Sequence, residues 1–90
     1  MRHEASSPPT ASQIKKQVEY YFSPRNISRD IFLQNKAAEH PQGWVPLDVI
    51  MTFNRMKLLG ANPQETIEAL KDSEVEIMEE DGKVMLRRKD

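Results

Sequence analysis

The sequence predicts an α+β fold, mostly helical, with a small antiparallel sheet and a C-terminal β-hairpin. Three observations predict it. Apolar residues recur at three- and four-residue steps from Ile14 to Leu70, interrupted by steps that carry proline or glycine. Two alternating segments, VEIM and KVMLRR, flank Asp81-Gly82, a strong two-residue hairpin signal. A short extended stretch, WVPL, lies between the helices and offers a third strand near Trp44 and Val45. Several helices followed by a hairpin describe a winged-helix arrangement.

The elements follow in order. Residues 1–11 are polar and carry Pro8 and Pro9, and they read as a disordered lead-in. Residues 12–90 form the domain. Ser12 can cap a helix that starts at Gln13, where Ile14, Val18, Tyr21 and Phe22 make one apolar face. SPRN breaks it, because Pro24 cannot continue a helix and biases Ser23 to extended backbone. A second helix over 27–39 presents Ile27, Ile31, Ala38 and one of Phe32 or Leu33 to the interior, and HPQG ends it. Pro46 leads into a helix over 47–58 with Val49, Ile50, Phe53 and Met56 inward. In GANPQE, Asn62 suits an N-cap, Pro63 the first helical position and Glu65 the reciprocal place in a capping box. The helix over 63–70 then buries Ile67 and Leu70.

Composition narrows the chemistry. Ninety residues suit one domain. The absence of cysteine excludes disulfides and thiolate metal sites. His3 and His40 stand alone, with no second ligand pattern, so neither a metal nor another cofactor is expected. No apolar run approaches the roughly 20 residues of a membrane span. There is no phosphate loop and no Ser-His pairing at credible spacing, so the chain does not read as an enzyme. Net charge is −1, which argues against a domain that grips duplex DNA by phosphate neutralisation. The charge is unevenly spread. Residues 13–36 hold five cations against Glu19 and Asp30, whereas residues 61–82 hold Lys71 against eight carboxylates.

The basic segment is also the aromatic one. QVEYYFSPRNISRDIFL, residues 17–33, contains four of the six aromatic rings. Neighbours on a helix point about 100° apart, so Tyr20 and Tyr21 cannot both be buried on one face. Spacing alone leaves two readings open: Tyr21 and Phe22 are core and Tyr20 incidental, or both tyrosines line a pocket. Gln17 lies one turn before them and has an amide able to pair with a base edge, though any exposed glutamine would look alike. Asp30 is an unusual residue beside a polyanion. It suits uncharged hydrogen-bond donors, or it is a solvated helix residue paired with Arg25 or Arg29. Phe32 and Phe53 read as core residues from pattern alone. On one ideal helix residues 30 and 32 project about 200° apart, so a shared site would need a helix end or a concave junction.

The same segment resembles the opening of the La motif, the RNA-binding winged-helix module of La and La-related proteins. The likeness continues through GWVPLDVIMTFNRMKLL, IEALKDSEVEI and VMLRRK, covering about residues 13–88, and is nearest to genuine La. Gly60-Ala61-Asn62 departs from the family's Thr-Thr-Asp-like step, and Arg25 stands where an aromatic is often found. The resemblance implies binding of single-stranded RNA at a 3′-terminal oligouridylate with free hydroxyls, typically on RNA polymerase III transcripts. It implies an RRM following in the full protein, no small-molecule substrate and a nuclear location; a monomer is the default expectation. It assigns RNA contact to Gln17, Tyr20, Tyr21, Asp30, Phe32, Phe53, Asn54 and Arg55. On this reading Asp30 accepts from the 2′- and 3′-hydroxyls of the last ribose, and Lys15, Lys16, Lys36 and Lys57 add diffuse attraction. A La-related module for other 3′ ends such as poly(A), and a winged-helix protein-interaction module, are the alternatives.

Overall fold

The computed structural model describes residues 10–88. The expected lead-in over 1–11 therefore lies outside the described residues up to position 9, and its last two residues are the N-cap and the first residue of the first helix. That helix, α1 (Ala11–Tyr21), starts one cap earlier than expected. The Thr10 hydroxyl accepts from the Gln13 N–H at 3.1 Å, and the Gln13 side chain accepts from the Thr10 N–H at 2.9 Å. This reciprocal pair satisfies two orphan donors, so Thr10 rather than Ser12 caps the helix. Ile14, Val18, Tyr21 and Phe22 are buried, as their spacing predicts.

Both long central helices are broken. In place of one helix over 27–39 there are α2 (Pro24–Ile27) and α3 (Ile31–Ala38). Asp30 separates them, because its carboxylate accepts from the Leu33 N–H at 3.0 Å and its backbone leaves helical geometry. Aspartate competes with the helix ladder for nearby backbone donors, which makes it a better cap than an interior residue. The break re-aims the side chains. Leu33 is buried and Ala37 packs on the core, whereas Ile31, expected inside, is 62% exposed, and Ala38 is exposed too.

The expected helix over 47–58 is likewise divided, into α4 (Leu47–Ile50) and α5 (Asn54–Leu59). The Thr52 hydroxyl donates to the Val49 carbonyl at 2.6 Å, and Phe53 takes extended backbone as the N-cap residue of α5. Gly60 ends α5 at φ +74°, a left-handed geometry that favours glycine. Asn62 then caps α6 (Pro63–Ala69), with the full capping box to Glu65.

The sheet orders its strands β1 (Val45–Pro46), β3 (Lys83–Arg88) and β2 (Val75–Glu80), all antiparallel. Asp81 and Gly82 both have positive φ, the backbone a two-residue primed turn requires. Val45, Val75 and Leu86 join Ile14, Val18, Leu33, Ile50, Met56 and Leu70 in one core between helices and sheet. The architecture is winged-helix, as expected. His40 fastens the loop after α3 to the wing. Its Nδ1 accepts from the Gln42 N–H at 3.0 Å, and its Nε2 lies 2.9 Å from Glu80 Oε1.

Candidate nucleic-acid interface

The two helix breaks bring four rings into one array. Tyr20 and Tyr21 leave the end of α1, Phe53 enters α5, and Phe32 lies in the first turn of α3. Ring centroids are 6.5 Å apart for Tyr20 and Tyr21, 4.8 Å for Tyr21 and Phe53, and 5.9 Å for Phe53 and Phe32. The last two contacts are edge-to-face, the arrangement that matches positive ring edges to negative faces. The outer members stay open to solvent: Tyr20 is 46% and Phe32 52% exposed. The inner ones are held by the core, Tyr21 being only 7% exposed. Tyr21 is thus both a core residue and a member of the array, so the two readings of the tyrosine pair do not exclude each other.

Charged and polar groups converge on the Tyr21 hydroxyl. Burial pushes its pKa above the usual 10.0. The Gln17 side chain, the Met56 backbone and the Arg55 charge oppose that rise, and the Asp30 charge adds to it. Gln17 and Met56 act from alongside, yet neither meets hydrogen-bond geometry, and the buried hydroxyl has no hydrogen-bond partner among the described residues. A buried O–H without a partner is costly, and in a native fold it calls for an account.

Asp30 is held rather than solvated. Besides capping Leu33, it accepts from Asn26 Nδ2 at 3.3 Å, and the same amide donates to the Tyr21 carbonyl at 2.9 Å. Among the described residues neither Arg25 nor Arg29 forms an ion pair with it; Arg29 Nε reaches the Arg25 carbonyl instead, at 3.4 Å. A carboxylate has about four lone-pair sites, and two are engaged here, which leaves capacity for two further donors. The helix end between residues 30 and 31 places Asp30 and Phe32 at one junction, the geometry that a single ideal helix denies.

Of the eight residues singled out in sequence, the structure brings together Gln17, Tyr20, Tyr21, Asp30, Phe32, Phe53 and Arg55. Asn54 is exposed at the start of α5, directly after Phe53. One neighbour was missed. Asn26 fixes Asp30 to the end of α1; its only sequence signal was a place four residues before that aspartate, inside a segment read simply as a breaker. Lys36, expected only to add diffuse attraction, sits with Nζ 5.6 Å from the Phe32 ring centroid, within cation–π range, and 3.6 Å from Glu39 Oε2.

Comparison with known proteins finds the same unit elsewhere. A family model described as La domain matches residues 14–72. A La protein homolog of Drosophila melanogaster is 42% identical over 76 residues, 83% of this chain and 20% of the relative. La-related protein 1B of Arabidopsis thaliana is 44% identical over 79 residues, 88% of this chain and 17% of the relative. A solved La autoantigen N-terminal domain superposes with a TM-score of 0.80 at 39% identity, covering 93% of this chain and 94% of that one. The chain spans about a fifth of the length of the curated relatives it matches.

Proposed function

Because the chain belongs to the La domain family, we propose that its ring-lined face binds the 3′ end of single-stranded RNA, preferring a short oligouridylate that ends in free hydroxyls. The La domain is an RNA-binding module of La and La-related proteins, not an enzyme family. The 3′-end preference is the finer reading. One observation carries it: a carboxylate with spare acceptor capacity, fixed at a helix cap beside two half-exposed rings.

The chemistry follows from the groups. Phosphate repels a carboxylate, but the vicinal hydroxyls of a terminal ribose are neutral donors, and Asp30 can accept from both. Tyr20 and Phe32 offer faces on which unpaired bases stack, at about 1–3 kcal/mol per base. The Gln17 amide suits a uracil edge, which presents both an N–H and carbonyls. The unpartnered Tyr21 hydroxyl, protonated at neutral pH, is a donor for a base or phosphate oxygen. Arg55 supplies positive charge next to it. In a longer parent protein we place this module beside an RRM, acting on the uridylate tails of RNA polymerase III transcripts in the nucleus.

The test is fluorescence anisotropy with four probes: a uridine oligomer ending in 3′-hydroxyl, the same with a 3′-phosphate, the same with a 2′-deoxy terminus, and an adenosine oligomer. We expect the 3′-phosphate to weaken binding by roughly tenfold or more, in keeping with like-charge repulsion at a partly buried site. Asp30→Asn, which retains the cap acceptor, should erase most of that discrimination. Equal affinity for both termini would remove the Asp30 mechanism. The adenosine probe has its own motive, since identity to La-related protein 1B is as high as to La. Tighter binding of adenosine would assign the site to that second class of 3′ end.

A further inference from the structure

We infer that Ser23 is a phosphorylation site for proline-directed kinases, and that its modification dismantles the support of Asp30. The inference concerns a segment that the RNA-binding reading does not use, and its effect on RNA rests on that reading.

The first observation is the sequence Ser23-Pro24-Arg25. Kinases of this class take a serine followed by proline, because proline demands no hydrogen bond for a backbone N–H in the pocket after the serine. Pro24 and Arg25 are exposed. Ser23 already has the extended backbone, φ −70° and ψ 152°, in which a substrate peptide lies across a kinase cleft. It lines a surface cleft of about 280 Å³ together with Glu19, Pro24, Glu74 and Arg88. The segment after it is a single helical turn with no fully buried residue, anchored by Ile27 against the core and by Asn26.

The second observation is what the hydroxyl does. Ser23 Oγ donates to the Tyr20 carbonyl at 2.7 Å and accepts from the Asn26 N–H at 3.3 Å. Asn26 in turn holds Asp30 and the Tyr21 carbonyl. Hydrogen bonds thus connect Ser23 directly to Tyr20 and, through Asn26, to Asp30 and Tyr21. Transfer of the γ-phosphoryl group of ATP breaks its bond to the β-phosphate and forms a P–O bond to Oγ. The hydroxyl proton passes to the kinase's catalytic base, and ADP leaves. The resulting ester has no proton to donate to the Tyr20 carbonyl. It brings about two negative charges into a cleft that already holds Glu19 and Glu74, with Arg88 as the opposing charge. The turn around Asn26 then shifts, and Asp30 loses its amide partner.

The test treats the 90-residue chain with a purified cyclin-dependent kinase and ATP. Intact mass and peptide mapping locate the phosphate, and NMR follows the Asn26 side-chain amide and the Leu33 N–H. We expect one phosphate on Ser23, abolished both in Ser23→Ala and in Pro24→Ala, which keeps the hydroxyl. Both amide signals should move, and affinity for the uridine oligomer should fall about tenfold. The inference is overturned if Ser23 stays unmodified under conditions that fully phosphorylate a short peptide of the same sequence. It is equally overturned if the modified chain keeps both amide signals in place. Failure of the unmodified chain to bind RNA would count against the proposed function alone, since mass and NMR decide this inference without RNA.

Discussion

The wing and the ring-lined face manage their polar and aromatic groups in opposite ways. In the wing, Arg87 is fully engaged. Its Nε and Nη2 donate to Glu76 Oε1 at 2.9 and 2.7 Å, its Nη1 donates to the Gln42 carbonyl at 3.1 Å, and its guanidinium lies 4.3 Å from the Trp44 ring centroid. That region directs its interactions inward. On the other face, two rings are half exposed, a buried hydroxyl has no partner among the described residues and a carboxylate keeps spare lone pairs. A fold maximising its own stability would pair or bury these groups. Their unspent capacity distinguishes a surface suited to recognition from one that serves architecture.

The comparison can be broken most sharply within the array itself. Phe53 bridges Tyr21 and Phe32 and packs against the core, so Phe53→Ala should cost about 2–3 kcal/mol in urea denaturation, the low end for a large aromatic because the ring is only partly buried. Tyr20→Ala should cost under about 0.5 kcal/mol of stability yet weaken uridine binding roughly tenfold. If Tyr20→Ala instead destabilised the fold and left binding intact, its exposed face would have no role in recognition. In the wing, Arg87→Ala should lower stability by less than about 1 kcal/mol, because the pair is partly solvated, and leave RNA affinity unchanged. A large loss of affinity there would place part of the binding surface on the wing.

The smallest effect concerns pH. Burial raises the folded-state pKa of Tyr21 above the unfolded value of 10.0. Above pH 10 the unfolded chain therefore loses this proton first. The stability contribution is present in full below that pH and declines as pH rises through the folded pKa. Tyr21→Phe should flatten the alkaline limb of the stability curve, as measured by denaturation between pH 8 and 11. An unchanged alkaline limb would show that the hydroxyl is not the buried group in question.

What the sequence determined by itself was whatever depends on neighbours within a few residues. The Asn62, Pro63 and Glu65 capping series, the Asp81-Gly82 turn and the apolar stripe of α1 all act over one turn, so local pattern reports them faithfully. Family likeness to the La domain was legible for the same reason, since its motif residues are contiguous in short blocks. Helical periodicity, however, ran straight through Asp30 and Phe53 and hid both breaks. Each break rests on a side chain outbidding the helix ladder: Asp30 for the Leu33 N–H, Thr52 for the Val49 carbonyl. Competition of that kind is decided by where the flanking helices must pack. Only the tertiary structure could therefore place Asp30, Phe32 and Phe53 at one junction, bring in Asn26 and Lys36, and leave the Tyr21 hydroxyl buried without a partner.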